Sequence, residues 1–94
     1  MIFVEPTGRF FPGCLVVTPG VLETVPRGEL LAAYSRHLRC DWGELSDTDW
    51  RMNDDAVENG GRIFSAYCTF NGAKFWIITE ANRLYTTVLL PSEY

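Results

Sequence analysis

Two turn signals near the C-terminus constrain this chain more than any other feature. Asn71-Gly72 separates two runs rich in β-branched and aromatic residues, 62–70 and 74–80, and Asn-Gly is a strong signal for a two-residue hairpin turn. A second two-residue turn at Asn82-Arg83 leads into a third such run that ends at Pro91. The sequence therefore predicts a three-stranded antiparallel meander.

The two turns also predict which residues pair across the meander. The first turn places Cys68 opposite Phe75, and the second places Ile77 opposite Val88. The face expected to meet the helices then carries Phe64, Ala66, Cys68, Phe70, Phe75, Ile77, Val88 and Leu90. The other face is also apolar, and we expect the N-terminal arm or a partner to cover it. Candidates for a dimer or partner face on that side are Tyr67, Trp76, Tyr85 and Leu89.

The rest of the chain predicts one more strand and two main helices. A short run at 14–18 predicts a strand that is stopped by Pro19-Gly20, and apolar residues at helical spacing (Leu30, Leu31, Tyr34 and Leu38) predict a helix over 27–39. Ser46 as N-cap and Asn59-Gly60-Gly61 as stop delimit a second helix over 46–59, whose inward face includes Met52 and Asn53. We expect one α+β domain with both helices on one face of the sheet and an irregular arm at 1–13.

Composition narrows the function classes. The chain has 94 residues and a net charge of −4, so it lacks the basic surface that direct nucleic-acid binding requires. It contains no apolar run long enough for a membrane helix and does not start like a signal peptide, so we expect a cytoplasmic protein. Its 3 cysteines are widely spaced and suggest neither a disulfide framework nor a zinc site. We expect no metal and no cofactor.

Acidic side chains are concentrated in and before the second predicted helix. Seven carboxylates fall within the 18 residues 41–58, with Arg51 as the one basic residue among them. Along a helix, Asp47, Asp54 and Glu58 lie roughly 6 to 10 Å apart, a scale similar to that of phosphates on a DNA strand. The run predicts either a solvated helix face or a DNA-mimicking surface for a protein partner. The partner-binding candidates are Asp41, Glu44, Asp47, Asp54, Asp55 and Glu58.

Two polar groupings could carry chemistry. His37 with Asp41 could form an oriented imidazole base, and Glu80, Arg83 and Thr86 surround the second hairpin turn. If they converged in one pocket, they would form a possible polar site for a small ligand or a nucleotide. If they did not, they would be a helix-end histidine and an ion pair at a strand end. The chain carries no phosphate loop, metal spacing or triad motif, so no catalytic residue is assigned.

One resemblance adds a biological setting. The residues that carry it are His37, Asp41-Trp42-Gly43, Asp49, Asn53, Ala56, Ser65-Ala66-Tyr67, Trp76-Ile77-Ile78-Thr79-Glu80-Ala81, Arg83, Thr86-Thr87, Leu89-Leu90-Pro91 and Glu93-Tyr94. In them the chain resembles a family of small uncharacterised proteins of bacterial plasmids and prophages, some labelled plasmid-related proteins and some labelled type I restriction system subunits. Asn82 and Leu84 stand where that family has aspartate and serine, which weakens a polar site at this turn.

The resemblance implies a mobile-element protein, and small acidic proteins of mobile elements often antagonise host defence. We therefore expect a non-enzymatic phage or plasmid protein that binds and inhibits a host nucleic-acid defence complex, as an anti-CRISPR or anti-restriction protein. One alternative is a small-ligand or nucleotide-processing domain built on His37, Asp41, Glu80 and Arg83. Another is a homodimeric structural protein joined through Tyr67, Trp76, Tyr85 and Leu89.

Overall fold

The computed structural model describes residues 8–94 and has the predicted α+β architecture. Residues 1–7, the first part of the predicted arm, lie outside the described residues. The elements are β1 (Cys14–Val17), α1 (Pro19–Thr24), α2 (Arg27–Leu38), α3 (Asp47–Asn59), β2 (Ile63–Cys68), β3 (Lys74–Thr79), β4 (Tyr85–Leu89) and a 3₁₀ turn (Pro91–Glu93). Within residues 8–94, no helix is long and apolar enough to cross a membrane.

The strands form one four-stranded sheet in the order β1-β4-β3-β2. The meander β2-β3-β4 is antiparallel, as predicted, and β1 adds to it by pairing parallel with β4. A parallel pair cannot be joined by a hairpin, and here α1, α2, α3 and the first two meander strands lie between β1 and β4 along the chain. The sheet therefore has β1 and β2 as its two edges.

The register predicted for the first hairpin is wrong by one residue. Phe75 pairs with Tyr67, and Cys68 pairs with Lys74. The Thr69 N–H donates to the Ala73 carbonyl at 2.8 Å and the Gly72 N–H donates to the Thr69 carbonyl at 2.9 Å, so the loop has three residues rather than two. Gly72 alone in the loop has a positive φ, 91°, whereas the expected turn needs positive φ at both central residues.

This one-residue difference reverses the two faces of β2. Ile63, Ser65 and Tyr67 join Phe75 and the rest of β3 and β4 on the helix-facing side, while the predicted members Phe64, Ala66 and Cys68 lie on the opposite side. Tyr67 is only 3% exposed, and Leu89, on the other face, is 6% exposed. Neither is accessible as a dimer or partner contact, whereas Tyr85 is exposed and Trp76 is partly buried.

The register of the second hairpin is confirmed. Thr79 pairs with Thr86 and Ile77 with Val88. The loop contains four residues, 81–84, because the Glu80 N–H donates to the Tyr85 carbonyl at 3.0 Å and Arg83 adopts a left-handed φ of 61°. A four-residue loop centred on 82–83 gives the same pairing as the predicted two-residue turn, so the faces of β3 and β4 are as expected.

Two apolar clusters fill the helix side of the sheet. The first packs Val21, Val25, Leu30 and Ala33 from α1 and α2 against Tyr67, Phe75, Ile77 and Val88. The second joins Trp42, Ala56 and Ile63, with Phe10 and Trp50 beside them. Leu31 and Met52, both predicted to face inward, are exposed. On the opposite face, Trp76 contacts Phe64 and Tyr94 with ring centroids 4.9 and 5.6 Å away, so the C-terminal residues cover part of that face.

Candidate functional site

His37 occupies the centre of a buried polar network rather than a cleft. It lies on the last turn of α2 and is fully buried, with Phe10 and Trp42 meeting its ring edge to face at 5.4 and 5.6 Å. Its Nδ1 is 2.6 Å from the Ser65 hydroxyl, and its Nε2 is 2.9 Å from the Thr79 hydroxyl. Burial lowers the pKa of His37 to about 3, so the imidazole is neutral at pH 7.

The hydrogen-bond partners fix the tautomer of His37. The Thr86 hydroxyl donates to the Pro12 carbonyl at 2.6 Å, and Thr86 must therefore accept from Thr79, 2.7 Å away. Each hydroxyl has one proton, so Thr79 must in turn accept from Nε2–H of His37. Nδ1 then carries the lone pair and accepts from Ser65. The network is a single directed chain of donors that ends on a carbonyl oxygen.

Ser65 is the residue of this network that the sequence did not reveal. A serine hydroxyl 2.6 Å from a neutral imidazole nitrogen is the arrangement of a nucleophile and its base. Both side chains, however, have zero exposure, so no substrate atom can reach the hydroxyl. Here the pair satisfies buried polar groups and holds α2 to the sheet.

The residues proposed for a small-ligand site do not share a pocket. His37 and Thr86 belong to the buried network, but Asp41 pairs with Arg36 at 2.8 Å. Glu80 lies 3.5 Å from Arg62. His37 and Thr86 thus share Thr79 in the buried network, while Asp41 and Glu80 are engaged with arginines outside it, so the proposed residues do not line one pocket.

Arg83 is used to tie the end of α3 to the second hairpin. Its guanidinium donates to the carbonyls of Ala56 at 2.9 Å, Gly61 at 2.6 Å and Glu80 at 3.1 Å. The Ala56 carbonyl also accepts from the Gly60 N–H at 3.0 Å, so Arg83 is its second donor, and a cation at a helix C-terminus complements the helix dipole. Arg83 thus braces the C-terminal end of α3, and its guanidinium is engaged by backbone carbonyls rather than free for a ligand.

The ends and the inward face of α3 follow the sequence signals. The Ser46 hydroxyl accepts from the Asp49 N–H at 3.1 Å, which confirms Ser46 as the N-cap, and Gly60 ends the helix with a φ of 87°. Asn53 is buried, as expected, and its amide exchanges two hydrogen bonds with the backbone of Phe64, accepting at 3.0 Å and donating at 2.5 Å. The Asn53 side chain therefore extends the ladder beyond β2 and fixes α3 against the sheet edge.

The outward face of α3 carries the acidic run. Asp47, Asp54, Asp55 and Glu58 are all exposed, as is Glu44 in the preceding loop. The Asp54 carboxylate accepts from the Trp42 indole N–H at 3.0 Å. The two ion pairs among residues 8–94 are Arg36–Asp41 and Arg62–Glu80, and neither involves a carboxylate of α3. Asp41 is half-buried, and the hydrogen bond from Arg36 lowers its pKa, so the charge of its carboxylate is already compensated by that guanidinium.

Hollows in the described surface border α3 on two sides. One, of about 460 Å³, is lined by Arg9, Arg39, Cys40, Trp50, Asp54, Val57 and Glu58. Another, of about 400 Å³, is lined by Leu45, Asp49, Met52, Asn53, Ala56, Gly61, Arg62 and Phe64. Both are lined by apolar and charged residues together. Both hollows therefore adjoin the helix that carries the acidic face.

Within residues 8–94, no three histidine, cysteine or carboxylate side chains are grouped closely enough to hold a metal ion. The geometry therefore offers one exposed, strongly charged surface, α3, and one buried polar network that stabilises the fold. Comparisons with protein-family models, with curated proteins and with solved structures give no match to this chain.

Proposed function

We propose that this protein is a non-enzymatic binding protein that uses the acidic face of α3 to engage a basic surface of a protein partner. The observation that carries the proposal is the absence of any ion pair to the exposed carboxylates of α3 within residues 8–94. Unpaired carboxylates of one sign on one face create a negative potential that attracts a basic surface. Channels that hold nucleic acid are basic surfaces of this kind.

The position of the charges within α3 supports a role beyond solubility. Asp47 and Asp49 lie in the first turn, where negative charge stabilises a helix. Glu58 lies in the last turn of α3, where negative charge is unfavourable and which contains no basic residue, and Asp55 lies just before that turn. Asp55 accepts a hydrogen bond from the Asn59 side chain at 2.8 Å, one turn later in the same helix. Helix stability therefore explains the first pair and part of the role of Asp55 but not Glu58, and binding supplies a reason for Glu58.

The family resemblance suggests which partner to test. A mobile-element protein with a phosphate-like row of carboxylates could occupy the nucleic-acid channel of a host defence complex, either CRISPR or restriction. It would block that channel and act as a DNA mimic. Such a partner would place the protein in the cytoplasm. Glu44, Asp47, Asp54, Asp55 and Glu58 would form the contact surface, whereas Asp41 contributes less because Arg36 already pairs with it.

The decisive experiment neutralises the acidic face without altering its shape. The triple variant Asp47→Asn, Asp55→Asn, Glu58→Gln removes three charges and leaves Asp54 in place for its hydrogen bond to Trp42. The matched control Asp47→Glu, Asp55→Glu, Glu58→Asp keeps every charge. The measurement is the plating efficiency of a restricted phage on cells that carry a type I restriction or CRISPR system and express each version.

We expect the wild-type protein and the control to raise plating efficiency and the triple variant not to. The melting temperature should stay nearly unchanged in the triple variant, because the lost stabilisation at Asp47 is offset at Asp55 and Glu58. Full inhibition by a folded triple variant would contradict the role of the acidic face. An affinity capture from host lysate, quantified by mass spectrometry for wild type and triple variant, then identifies the partner whose recovery depends on the three charges.

A further inference from the structure

The two edges of the sheet differ in whether their outward backbone groups have hydrogen-bond partners. At the β2 edge, the Ala66 N–H donates to the Trp42 carbonyl at 3.2 Å and the Glu44 N–H donates to the Ala66 carbonyl at 2.8 Å. One step along, the Asn53 amide satisfies both backbone groups of Phe64. The outward backbone groups of Phe64 and Ala66 are thereby closed to another chain.

The β1 edge has no such cover from residues 8–94. The Cys14 N–H donates to the Leu84 carbonyl at 2.9 Å and the Thr18 N–H to the Val88 carbonyl at 3.1 Å, so alternate residues of β1 point toward β4. The residues between them, Leu15 and Val17, direct their N–H and carbonyl groups away from the sheet. Among the described residues, only the Cys14 thiol contacts one of these groups, with its Sγ 4.0 Å from the Leu15 carbonyl oxygen.

The side chains along this edge are apolar and uncharged. Leu15 is 36% exposed and Val16 is 39% exposed. The exposed residues Phe11 and Leu84 precede β1 and β4 along the chain, and exposed Tyr85 is the first residue of β4, paired with Cys14. All eight residues from Phe11 to Thr18 are uncharged. Natural sheet edges are usually protected by lysine, proline or a bulge, and Cys14–Val17 contains none of these.

We propose that two copies of this chain pair antiparallel through β1 and join their four-stranded sheets into one continuous sheet. A two-fold axis between the copies makes each strand the template for the other, so the same uncharged surface meets itself. With Val16 opposite the same residue of the second copy, Leu15 of each chain exchanges backbone hydrogen bonds with Val17 of the other. This register pairs every outward backbone group of β1.

Charge does not oppose this dimer. The acidic face of α3 lies at the β2 edge, three strand intervals from β1. At about 4.8 Å per interval the β2 strands of the two copies are separated by roughly 34 Å, several times the Debye length of about 8 Å at physiological ionic strength. A charged partner segment would find no complementary charge on β1, whereas a second copy needs none. The two acidic faces would point outward from opposite ends of the dimer.

The dimer replaces the face predicted from the sequence. Tyr67 and Leu89 are buried within one chain, but Tyr85 lies beside β1 as the pairing partner of Cys14 on β4. Tyr85 is therefore the member of the predicted dimer face that lies next to the new contact. The proposed dimer does not depend on which partner α3 binds.

Site-directed crosslinking tests the register. The residues that face each other across a non-hydrogen-bonded antiparallel pair have Cα atoms about 4.5 Å apart, within the range of about 4.4 to 6.8 Å that a disulfide spans. Val16→Cys, in a background with Cys14→Ser and Cys68→Ser, should form a covalent dimer on mild oxidation. Leu22→Cys in the same background places a thiol on α1 at a more exposed position, 68% against 39% for Val16, and should remain monomeric.

Light scattering and sedimentation test the dimer without chemistry. The wild type should be a dimer across the micromolar to millimolar range. Val16→Lys places like charges opposite each other and should weaken dimerisation about tenfold or more. The control Leu31→Lys on α2 should not weaken it. Circular dichroism verifies that each variant is folded. A wild type that is monomeric at every concentration overturns the proposal, even if an extended peptide binds the edge. A Val16→Lys variant that dimerises like the wild type also overturns it.

Discussion

Acid sensitivity provides the sharpest test of the buried network, because this chain contains a single histidine. The pKa of His37 falls from an ordinary 6.5 to about 3 on folding, since burial penalises the charged imidazole. A base whose pKa is lower in the folded state binds its proton preferentially in the unfolded state. The stability it contributes is therefore complete above pH 6.5 and is lost as the pH falls from 6.5 toward 3.

The magnitude follows from the linkage relation. Between these two pKa values the unfolded chain holds one more proton than the folded chain, so the free energy of unfolding falls by about 1.4 kcal/mol per pH unit. From pH 7 to pH 5 the expected loss is about 2 kcal/mol. This window lies above the ordinary carboxyl pKa values of about 3.9 to 4.3, so carboxylates such as Asp41 contribute little to it.

The perturbation is His37→Gln, which keeps an amide donor for Thr79 and removes the titrating group. Urea unfolding followed by tryptophan fluorescence at pH 7, 6 and 5 gives the slope, and Trp42, 5.6 Å from His37, reports on the site. The variant should be less stable than wild type at pH 7 by about 1–3 kcal/mol, because Ser65 loses its acceptor. The difference between the two proteins should shrink by about 2 kcal/mol by pH 5.

Thr79→Val serves as the matched control, since it removes the acceptor of Nε2–H but leaves the imidazole in place. It should lower stability while keeping a wild-type-like pH slope. Nuclear magnetic resonance of the His37 ring in the native protein measures the same pKa directly. Equal slopes for wild type and His37→Gln, or a native titration near pH 6.5, would refute the burial argument.

Two further predictions concern the anchors of α3. Asn53→Ala leaves both backbone groups of Phe64 without their side-chain partner and should lower the free energy of unfolding in urea by about 2–3 kcal/mol. The control Met52→Ala, at an exposed position of the same helix, should lower it little. Equal losses in the two variants would show that the Asn53 hydrogen bonds add no stability. Arg83→Lys keeps the charge but loses the fork that reaches the carbonyls of Ala56 and Gly61, and should cost about 1.5–3 kcal/mol in thermal unfolding. Arg51→Lys is the exposed control, and a Tm for Arg83→Lys no lower than that of this control would count against the role of the fork.

Local signals in the sequence were sufficient for much of the fold. The N-cap at Ser46, the stop at Gly60 and the buried position of Asn53 all depend on chemistry within a few residues, and all three are confirmed. The pairing of β3 with β4 was also recoverable, because a two-residue turn and the four-residue loop around 82–83 share one register. Predictions of this kind succeed when several local structures lead to the same result.

The first hairpin shows the opposite case. Asn71-Gly72 fits a two-residue turn, but it also fits the end of a type I turn followed by a left-handed glycine, and these two differ by one residue in register. Side-chain pattern could have distinguished them only if one face of β2 were plainly polar. Because Ser65 is buried and Phe64 lies on the other face, the pattern favoured the wrong face for β2.

The candidate site could be predicted only in part for a related reason. The acidic run is a property of composition and is visible in the sequence. The network of His37 with Ser65, Thr79 and Thr86 joins residues that are up to 49 positions apart, and no local spacing indicates it. The sequence likewise placed Arg83 in a polar site, whereas its partners are carbonyl oxygens that carry no sequence signal.

The hydrogen bonds of α3 explain how this helix can keep carboxylates where they do not help it. Arg83, from the second hairpin, brings to the C-terminal end of α3 the positive charge that the last turn lacks. Asn53 and the bond from Trp42 to Asp54 hold the same helix to the sheet edge and the preceding loop. Because these three anchors fix the backbone of α3, the outward carboxylates are held at set spacings. Less conformational entropy of α3 is therefore lost when a partner binds them.

This arrangement predicts that stability and binding respond in opposite directions. In the double variant Asp55→Asn, Glu58→Gln, α3 loses a negative charge in its last turn and another just before it, and the substitution at position 55 keeps an oxygen for the hydrogen bond from Asn59. The free energy of unfolding should therefore rise by up to about 1 kcal/mol. Recovery of the partner in affinity capture should fall in the same variant. Residues kept for the fold alone would not be expected to behave in this way, whereas residues kept for function often reduce stability. A double variant that is less stable than wild type, or that binds equally well, would show that the acidic end of α3 serves the fold.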